Sequence, residues 1–171
     1  MANDRIYQLK LTLSDSDPPI WRRLLVSAAT SLEELHRIVQ IAMGWQNLSS
    51  YHYRIGKQRS DTEPGLLQMP LNEIVRDDLT RFCYVYDLRD GWFHTLEVEM
   101  VLPADPDGHY PNCVTGELRC PPEGCGGVWG YNGLLETLDD PDDPQHLASW
   151  DEVGGDFDPE YFDLEIGRAH V

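Results

Sequence analysis

Alternation of apolar and polar residues dominates the N-terminal part of the chain and then changes to a helical spacing. The first alternation places four apolar residues on one face of a predicted strand: Tyr7, Leu9, Leu11 and Leu13. A Pro-rich turn at 14–19 precedes a second predicted strand over 20–26, so the two strands form a hairpin. Residues 32–42 carry apolar side chains three and four positions apart and follow Thr30 and Ser31, which are typical helix caps. Gly44 is predicted to end this helix.

Three more strands are predicted in the middle of the chain. Residues 51–55 form the third strand, and residues 56–70 form a loop before a short helix at 71–75. Strands at 82–86 and 92–102 are joined by a turn that ends in Asp-Gly. One main helix packed on a mixed or antiparallel sheet indicates an α+β class, and the opening hairpin followed by a helix favours a β-grasp-like mixed sheet.

The C-terminal part has a different composition. Residues 103–133 form a predicted loop rich in Cys, Gly and Pro, and short helices are predicted at 131–138 and 145–153. No element in this part alternates as clearly as the early strands do.

We expect a single domain over residues 1–164. Its sheet-and-helix half covers residues 1–102, and its Cys-rich loop and acidic helical half covers residues 103–164. Residues 165–171 break the local acidic composition and match the translation of a common sequencing adapter. We therefore interpret them as adapter read-through and leave them out of the functional argument.

Charge separates the two halves further. The chain has 171 residues and a net charge of −17, of which residues 1–90 carry −1 and residues 136–171 carry −11. An acidic surface repels phosphate backbones, so nucleic-acid binding through the C-terminal face is disfavoured. No stretch is apolar enough for a membrane span or a secretion signal, so we expect a cytoplasmic protein without a membrane partner.

Clustered cysteines are the first candidate for a metal site. Three of them lie in the Gly/Pro-rich segment: Cys113, Cys120 and Cys125. Clustered thiols in a cytosolic chain favour metal over a disulfide, and a structural zinc needs four Cys or His ligands. The fourth ligand would come from one of three histidines: His94, His109 or His52. We favour His94, and the alternative is a hydrogen-bonded core histidine beside cysteines that bind no metal.

The acidic residues near His94 are the candidates for catalysis. Asp87, Asp90 and His94 lie on one turn and the strand that follows, where they could act as acid, base or metal ligands. An Asp-x-x-Asp-Gly sequence more often builds a turn through side-chain hydrogen bonds to the backbone. The sequence contains no complete nucleophile, zinc-protease or phosphate-loop motif.

A basic and aromatic triplet on the second strand is a candidate binding spot. It consists of Trp21, Arg22 and Arg23, and Trp92 is a further candidate binding residue. The competing interpretation of the triplet is an edge strand with solvated arginines. A weaker interpretation is direct DNA binding through four arginines: Arg22, Arg23, Arg37 and Arg54.

Several motifs, in order along the chain, resemble one known family. They are Pro18-Pro19-Ile20-Trp21-Arg22-Arg23-Leu24, Ser31-Leu32-x-x-Leu35-His36, Ala42-Met43-Gly44-Trp45, Tyr84-x-Tyr86-Asp87-x-x-Asp90-x-Trp92-x-His94, Cys120-Pro121-Pro122-Glu123-x-Cys125-Gly126-Gly127-Val128-Trp129-Gly130-Tyr131 and Asp156-Phe157-Asp158-Pro159. Over residues 6–164 the chain is similar to the Ri-plasmid ORF-three-like family, whose members are carried on plasmids and as TnpR-like passengers of insertion elements. The resemblance implies an α+β fold and assigns no catalytic residues. The chain departs from the family at Leu88-Arg89, where relatives commonly have Phe-Gly.

Together, these features favour a non-enzymatic binding or accessory module with a structural zinc site and a protein partner. The alternative is a small enzyme with a pocket formed by Trp92, His94, Asp87, Asp90 and the Cys113–Cys125 loop. A weaker alternative is a DNA-binding accessory factor.

Overall fold

The computed structural model describes residues 5–162, and its strands form one seven-stranded sheet of order β4-β3-β5-β6-β1-β2-β7. The strands are β1 (Arg5–Leu13), β2 (Trp21–Ser27), β3 (Tyr51–Ile55), β4 (Gln58–Arg59), β5 (Arg81–Tyr86), β6 (Trp92–Pro103) and β7 (Asn112–Glu117). The helices are α1 (Leu32–Met43), α2 (Leu71–Ile74), α3 (Gly127–Asp139) and α4 (His146–Glu152), with a short 3-10 helix at Pro64–Gln68. The segment 165–171, interpreted as adapter read-through, lies outside the described residues.

The α+β class is confirmed, while the direction of the strands corrects the prediction. All neighbouring strands pair antiparallel, whereas the sequence pattern predicts a mixed sheet. In the central pairing, β1 lies antiparallel to β6 with Leu11 opposite Leu96. Alternation shows which side chains face the core, but it carries no information about the direction of the neighbouring strand. The predicted hairpin and the helix that follows it are both present.

Helix α1 begins and ends where its capping residues predict. The Ser31 hydroxyl accepts a hydrogen bond from the Glu34 backbone N–H at 3.1 Å, and Gly44 ends the helix with a φ of 73°. Glycine adopts this left-handed conformation without the strain that a Cβ atom causes. Leu35 of α1 is fully buried in the same core cluster as Leu9 of β1. The apolar stripe of the helix therefore packs on the central strands.

Strand β7 is the main element that the sequence pattern misses. Residues 103–133 are predicted as a loop, but the segment Asn112–Glu117 forms a strand antiparallel to β2. This pairing makes β2 an interior strand, so the predicted edge strand with solvated arginines is wrong. It also places Cys113 on a strand and not in the predicted Cys-rich loop. A free strand edge presents unpaired backbone groups, which can recruit a segment whose own alternation is weak.

The C-terminal helices are present with shifted bounds. Helix α3 begins at Gly127 rather than at the predicted Tyr131, and α4 lies within the predicted 145–153. Gly127 has a φ of 72°, and a Cβ atom on it would collide with the carbonyl oxygen of Asp90. The start of α3 is therefore held directly against the β5–β6 turn. Among the described residues, no helix combines the length and apolar composition that crossing a bilayer requires.

Candidate functional site

The two candidate catalytic aspartates hold the β5–β6 turn together. Asp87 has a φ of 59°, and its Oδ1 accepts hydrogen bonds from the backbone N–H groups of Arg89 at 3.0 Å and Asp90 at 3.4 Å. Oδ2 of Asp90 accepts a hydrogen bond from the Gly126 N–H at 3.1 Å. This is the geometry of the turn interpretation, since both carboxylates accept from backbone donors.

His94 and Trp92 lie in a cluster of rings that we call the aromatic core: Trp45, Tyr84, Tyr86, Trp92 and His94. His94 and Trp92 are fully buried, and the His94 and Trp45 rings meet edge to face at 5.4 Å. Nδ1 of His94 lies 3.3 Å from the Tyr84 carbonyl oxygen. Burial lowers the pKa of His94 to about 4, so the imidazole is neutral near pH 7.

Two of the three candidate zinc thiols, Cys113 and Cys120, line one cavity, and Cys125 is not in its lining. Cys113 is buried on β7, with its Sγ 3.7 Å from the Thr115 carbonyl oxygen. Cys120 Sγ lies 3.4 Å from the Met43 sulfur. Burial raises the pKa of Cys120 to about 11 and that of Cys125 to about 12. Within residues 5–162, no three His, Cys, Asp or Glu side chains are placed to share a metal ion. The zinc site with His94 stays a prediction.

The predicted triplet on β2 is divided between the two faces of the sheet. Trp21 and Arg23 share one face, where the Arg23 guanidinium lies 5.0 Å from the Trp21 ring and bonds the Glu99 carboxylate at 2.7 Å. Arg22 points to the opposite face and is 4% exposed. The triplet is therefore not one binding spot. The alternation could have shown this, because Arg22 has the same parity as the buried Leu24 and Val26.

Arg22 is bound to the segment that follows β7. Its Nη1 donates hydrogen bonds to the carbonyl oxygens of Trp21 and Glu117 at 2.8 and 3.0 Å. Its Nη2 donates to the Leu118 carbonyl oxygen at 2.8 Å and lies 3.0 Å from the Cys120 sulfur. These contacts hold residues 117–120 against β2, next to a cavity that Arg22 also lines.

The cavity has a volume of about 430 Å³ and lies beside the C-terminal end of α1. Its lining combines apolar side chains with two arginines and one glutamate: Arg22, Ile41, Ala42, Met43, Gly44, Cys113, Arg119, Cys120, Pro121, Pro122, Glu152, Val153, Phe157, Tyr161 and Phe162. None of Asp87, Asp90, Trp92 and His94 is in this lining. Sequence reasoning missed Arg119 and the C-terminal aromatic residues, because only the fold brings them beside α1.

A buried polar network, also missed from the sequence, joins α1 to the sheet. His36 Nδ1 lies 2.6 Å from the Tyr84 hydroxyl oxygen, and its Nε2 lies 2.7 Å from Oδ1 of Asn47. The Tyr51 ring stacks on the imidazole at 3.5 Å, and burial lowers the pKa of His36. With both nitrogens engaged, His36 positions the helix against the sheet.

Comparisons with known proteins agree with the motifs. Residues 5–166 match the family described as plasmid pRiA4b ORF-3-like protein. An uncharacterised protein of Sinorhizobium fredii, y4hQ, is 34% identical over 164 residues, covering 90% of this chain and 84% of that protein. The crystal structure of MM3350, a protein of unknown function from Methanosarcina mazei Go1, superposes with a TM-score of 0.88 at 29% identity, covering 94% of this chain and 96% of that one. The chain belongs to the plasmid pRiA4b ORF-3-like family.

Proposed function

We propose that this protein is a non-enzymatic binding module that holds a small ligand in the cavity beside α1. The observation that carries the proposal is the cavity itself, with a volume of about 430 Å³ and a lining that mixes apolar side chains with polar groups. Ligand sites in proteins typically combine such a lining with a few polar groups that fix orientation. Here Arg22 and Arg119 are such groups.

The candidate catalytic groups support binding over catalysis. The enzyme alternative needs Trp92, His94, Asp87, Asp90 and the Cys113–Cys125 loop around one open pocket. Part of that loop lines the cavity, but Trp92 and His94 lie in the packed aromatic core and the aspartates hold a turn. Cys120 lines the cavity, yet its pKa of about 11 keeps it a thiol, which is a poor nucleophile.

The positions of the arginines also support a ligand site over a DNA-binding surface. Of the four candidate arginines, Arg22 is buried and Arg23 is paired with Glu99. The two exposed ones, Arg37 and Arg54, lie on different elements, α1 and β3. A phosphate backbone needs exposed cations on one continuous surface. The protein partner expected from the sequence is a separate prediction, on which this proposal does not depend.

The experiment fills the cavity and measures binding of a neutral fluorescent probe, N-phenyl-1-naphthylamine. Ala42 lines the cavity from α1, so Ala42→Phe places a ring inside it. We expect saturable binding to the wild type and affinity about tenfold weaker, or worse, for the variant, which equals roughly 1.4 kcal/mol. The control is Ala148→Phe, which adds the same ring at an exposed helical position.

Circular dichroism and thermal melting establish that both variants fold. Equal binding by the two folded variants would contradict the cavity as the binding site, and so would absence of binding by the wild type.

The structural zinc is kept as a separate proposal with its own test. Metal analysis of the reduced protein would support it by finding about one zinc per chain that is lost in Cys120→Ser and Cys125→Ser, as four-ligand sites require. Wild-type protein without zinc under reducing conditions would reject it.

A further inference from the structure

Arg22 brings a buried cation to the cavity. Its side chain lies on the core-facing side of β2 with Leu24 and Val26, and it is 4% exposed. Gly116 of β7 leaves space for it, because a Cβ atom there would lie 2.8 Å from Arg22 Cδ. The Phe162 ring covers the guanidinium at 4.2 Å. Strand pairing and packing therefore build a site around this one group.

Within residues 5–162, the hydrogen bonds of the guanidinium all go to uncharged acceptors. Nη1 and Nη2 donate to backbone carbonyl oxygens and to the Cys120 sulfur. The Nε–H group is buried and has no acceptor within residues 5–162. Buried polar groups are rarely left without a partner, so the guanidinium is bound less completely than its burial requires.

The positive charge also lacks a counter-charge in the described part of the chain. The ion pairs found there involve Arg23, Arg59 and Arg81, and none involves Arg22. The Cys120 sulfur does not supply the charge, since its pKa of about 11 keeps it protonated at neutral pH. Arginine is almost never fully buried unless it is paired, because removing an ion from water is costly. A ligand that reaches Arg22 from the cavity is therefore expected to carry a negative charge.

The rest of the lining indicates what kind of anion the cavity takes. Arg119 adds a second guanidinium, which stacks on Phe157 at 4.5 Å. Most other lining residues are apolar, and the acidic one, Glu152, is exposed. Glu152 and a net charge of −17 would both disfavour a polyanion. The lining fits an apolar body that carries one negative charge.

We propose that the ligand is a small amphipathic carboxylate whose charge pairs with the Arg22 guanidinium at the cavity wall. Arg119 adds attraction for the same charge, and the apolar body of the ligand packs against Met43, Pro121 and Phe157. The inference rests on the proposed binding function of the cavity and adds the chemical class of the ligand.

The test compares two probes of nearly the same shape by isothermal titration calorimetry. The probes are 4-phenylbutyrate, which carries a carboxylate, and 4-phenylbutyramide, its neutral amide. We expect the wild type to bind the carboxylate about tenfold more tightly than the amide, as for other charge-assisted hydrogen bonds. In Arg22→Met this preference is lost while amide binding is retained.

The matched control is Arg23→Met, which removes the same charge from the adjacent residue on the other face of β2. It keeps the preference for the carboxylate, because Arg23 is paired with Glu99 away from the cavity. Arg119→Met, at a half-buried position, weakens the preference by less than Arg22→Met does. This second variant gives a result even if Arg22→Met does not fold.

Equal wild-type affinity for the carboxylate and the amide would overturn the carboxylate assignment and leave the cavity as a binding site. Equal loss of the preference in Arg22→Met and Arg23→Met would also overturn it, because net charge alone would then explain the preference. Failure of the wild type to bind either probe would overturn both the assignment and the proposed function.

Discussion

The aromatic core and the cavity lie on either side of Trp45, and they differ in how a buried polar side chain is accommodated. Trp45 joins them, since its ring packs on His94 and its Nε1–H donates to the Pro121 carbonyl oxygen in the cavity wall at 2.9 Å. On the core side, rings fill the space and His94 loses its charge through burial. On the cavity side, space remains and Arg22 is buried with its charge.

This difference shows which buried polar residues point to a function. An imidazole can adapt to an apolar environment by releasing a proton, so a buried histidine carries no charge that a ligand must compensate. Nε2 of His94 is nevertheless buried without a hydrogen-bond partner among the described residues. A guanidinium stays protonated in proteins, so its burial must be compensated by hydrogen bonds, by a counter-charge or by both. His94 was the more conspicuous candidate in the sequence, but Arg22 is the more informative residue in the structure.

The largest expected effect tests whether the core is packed and the cavity side is not. Trp92→Ala should lower the free energy of unfolding by about 3–5 kcal/mol, because a fully buried ring is replaced by a void. Ile41→Ala, at a cavity-lining residue that is 39% exposed, should cost about 1 kcal/mol or less. Urea denaturation measures both values. Similar losses for the two variants would remove the distinction between the regions.

The next effect tests whether the aromatic core keeps His94 from binding a second proton. Burial holds the pKa of His94 at about 4, below its ordinary value of 6.5. Between these values the unfolded chain binds a proton that the folded protein excludes, so the free energy of unfolding falls as the pH decreases from 6.5 towards 4. The loss attributable to His94 is about 3 kcal/mol and is complete near the folded pKa.

The measurement is urea denaturation of the wild type and His94→Gln between pH 4 and 7. The difference in stability between the two proteins should shrink as the pH falls, since other titrating groups contribute to both. Parallel curves over this range would show that His94 does not exclude a proton.

The smallest effect tests the close packing at the start of α3, where Gly130 lies against the Cys125 carbonyl oxygen. A Cβ atom on Gly130 would collide with the Cys125 carbonyl oxygen, so Gly130→Ala should destabilise the fold by about 2 kcal/mol. Gly133 lies in the same helix with nothing near its Cβ position. Gly133→Ala should therefore be neutral or stabilise by up to about 1 kcal/mol. Thermal melting compares the two, and equal shifts would contradict the close approach.

Sequence reasoning was most successful where local forces decide the structure. The alternation around Leu9 and Leu11 predicted a strand with a buried face, and Ser31 and Gly44 predicted the bounds of α1. It failed where partners come from far along the chain. Strand β7 depends on the edge of β2, and the cavity depends on residues about 140 positions apart in sequence, Arg22 and Phe162.

The sequence by itself determined the α+β class, the helix caps, the turn chemistry of Asp87 and membership of the family, because each depends on neighbouring residues or on motifs in order. Only the tertiary structure decided which candidate side chains are enclosed in the core and which line a cavity. It enclosed His94 among rings and turned Arg22 towards a cavity, because burial and charge compensation depend on what the fold places around a side chain.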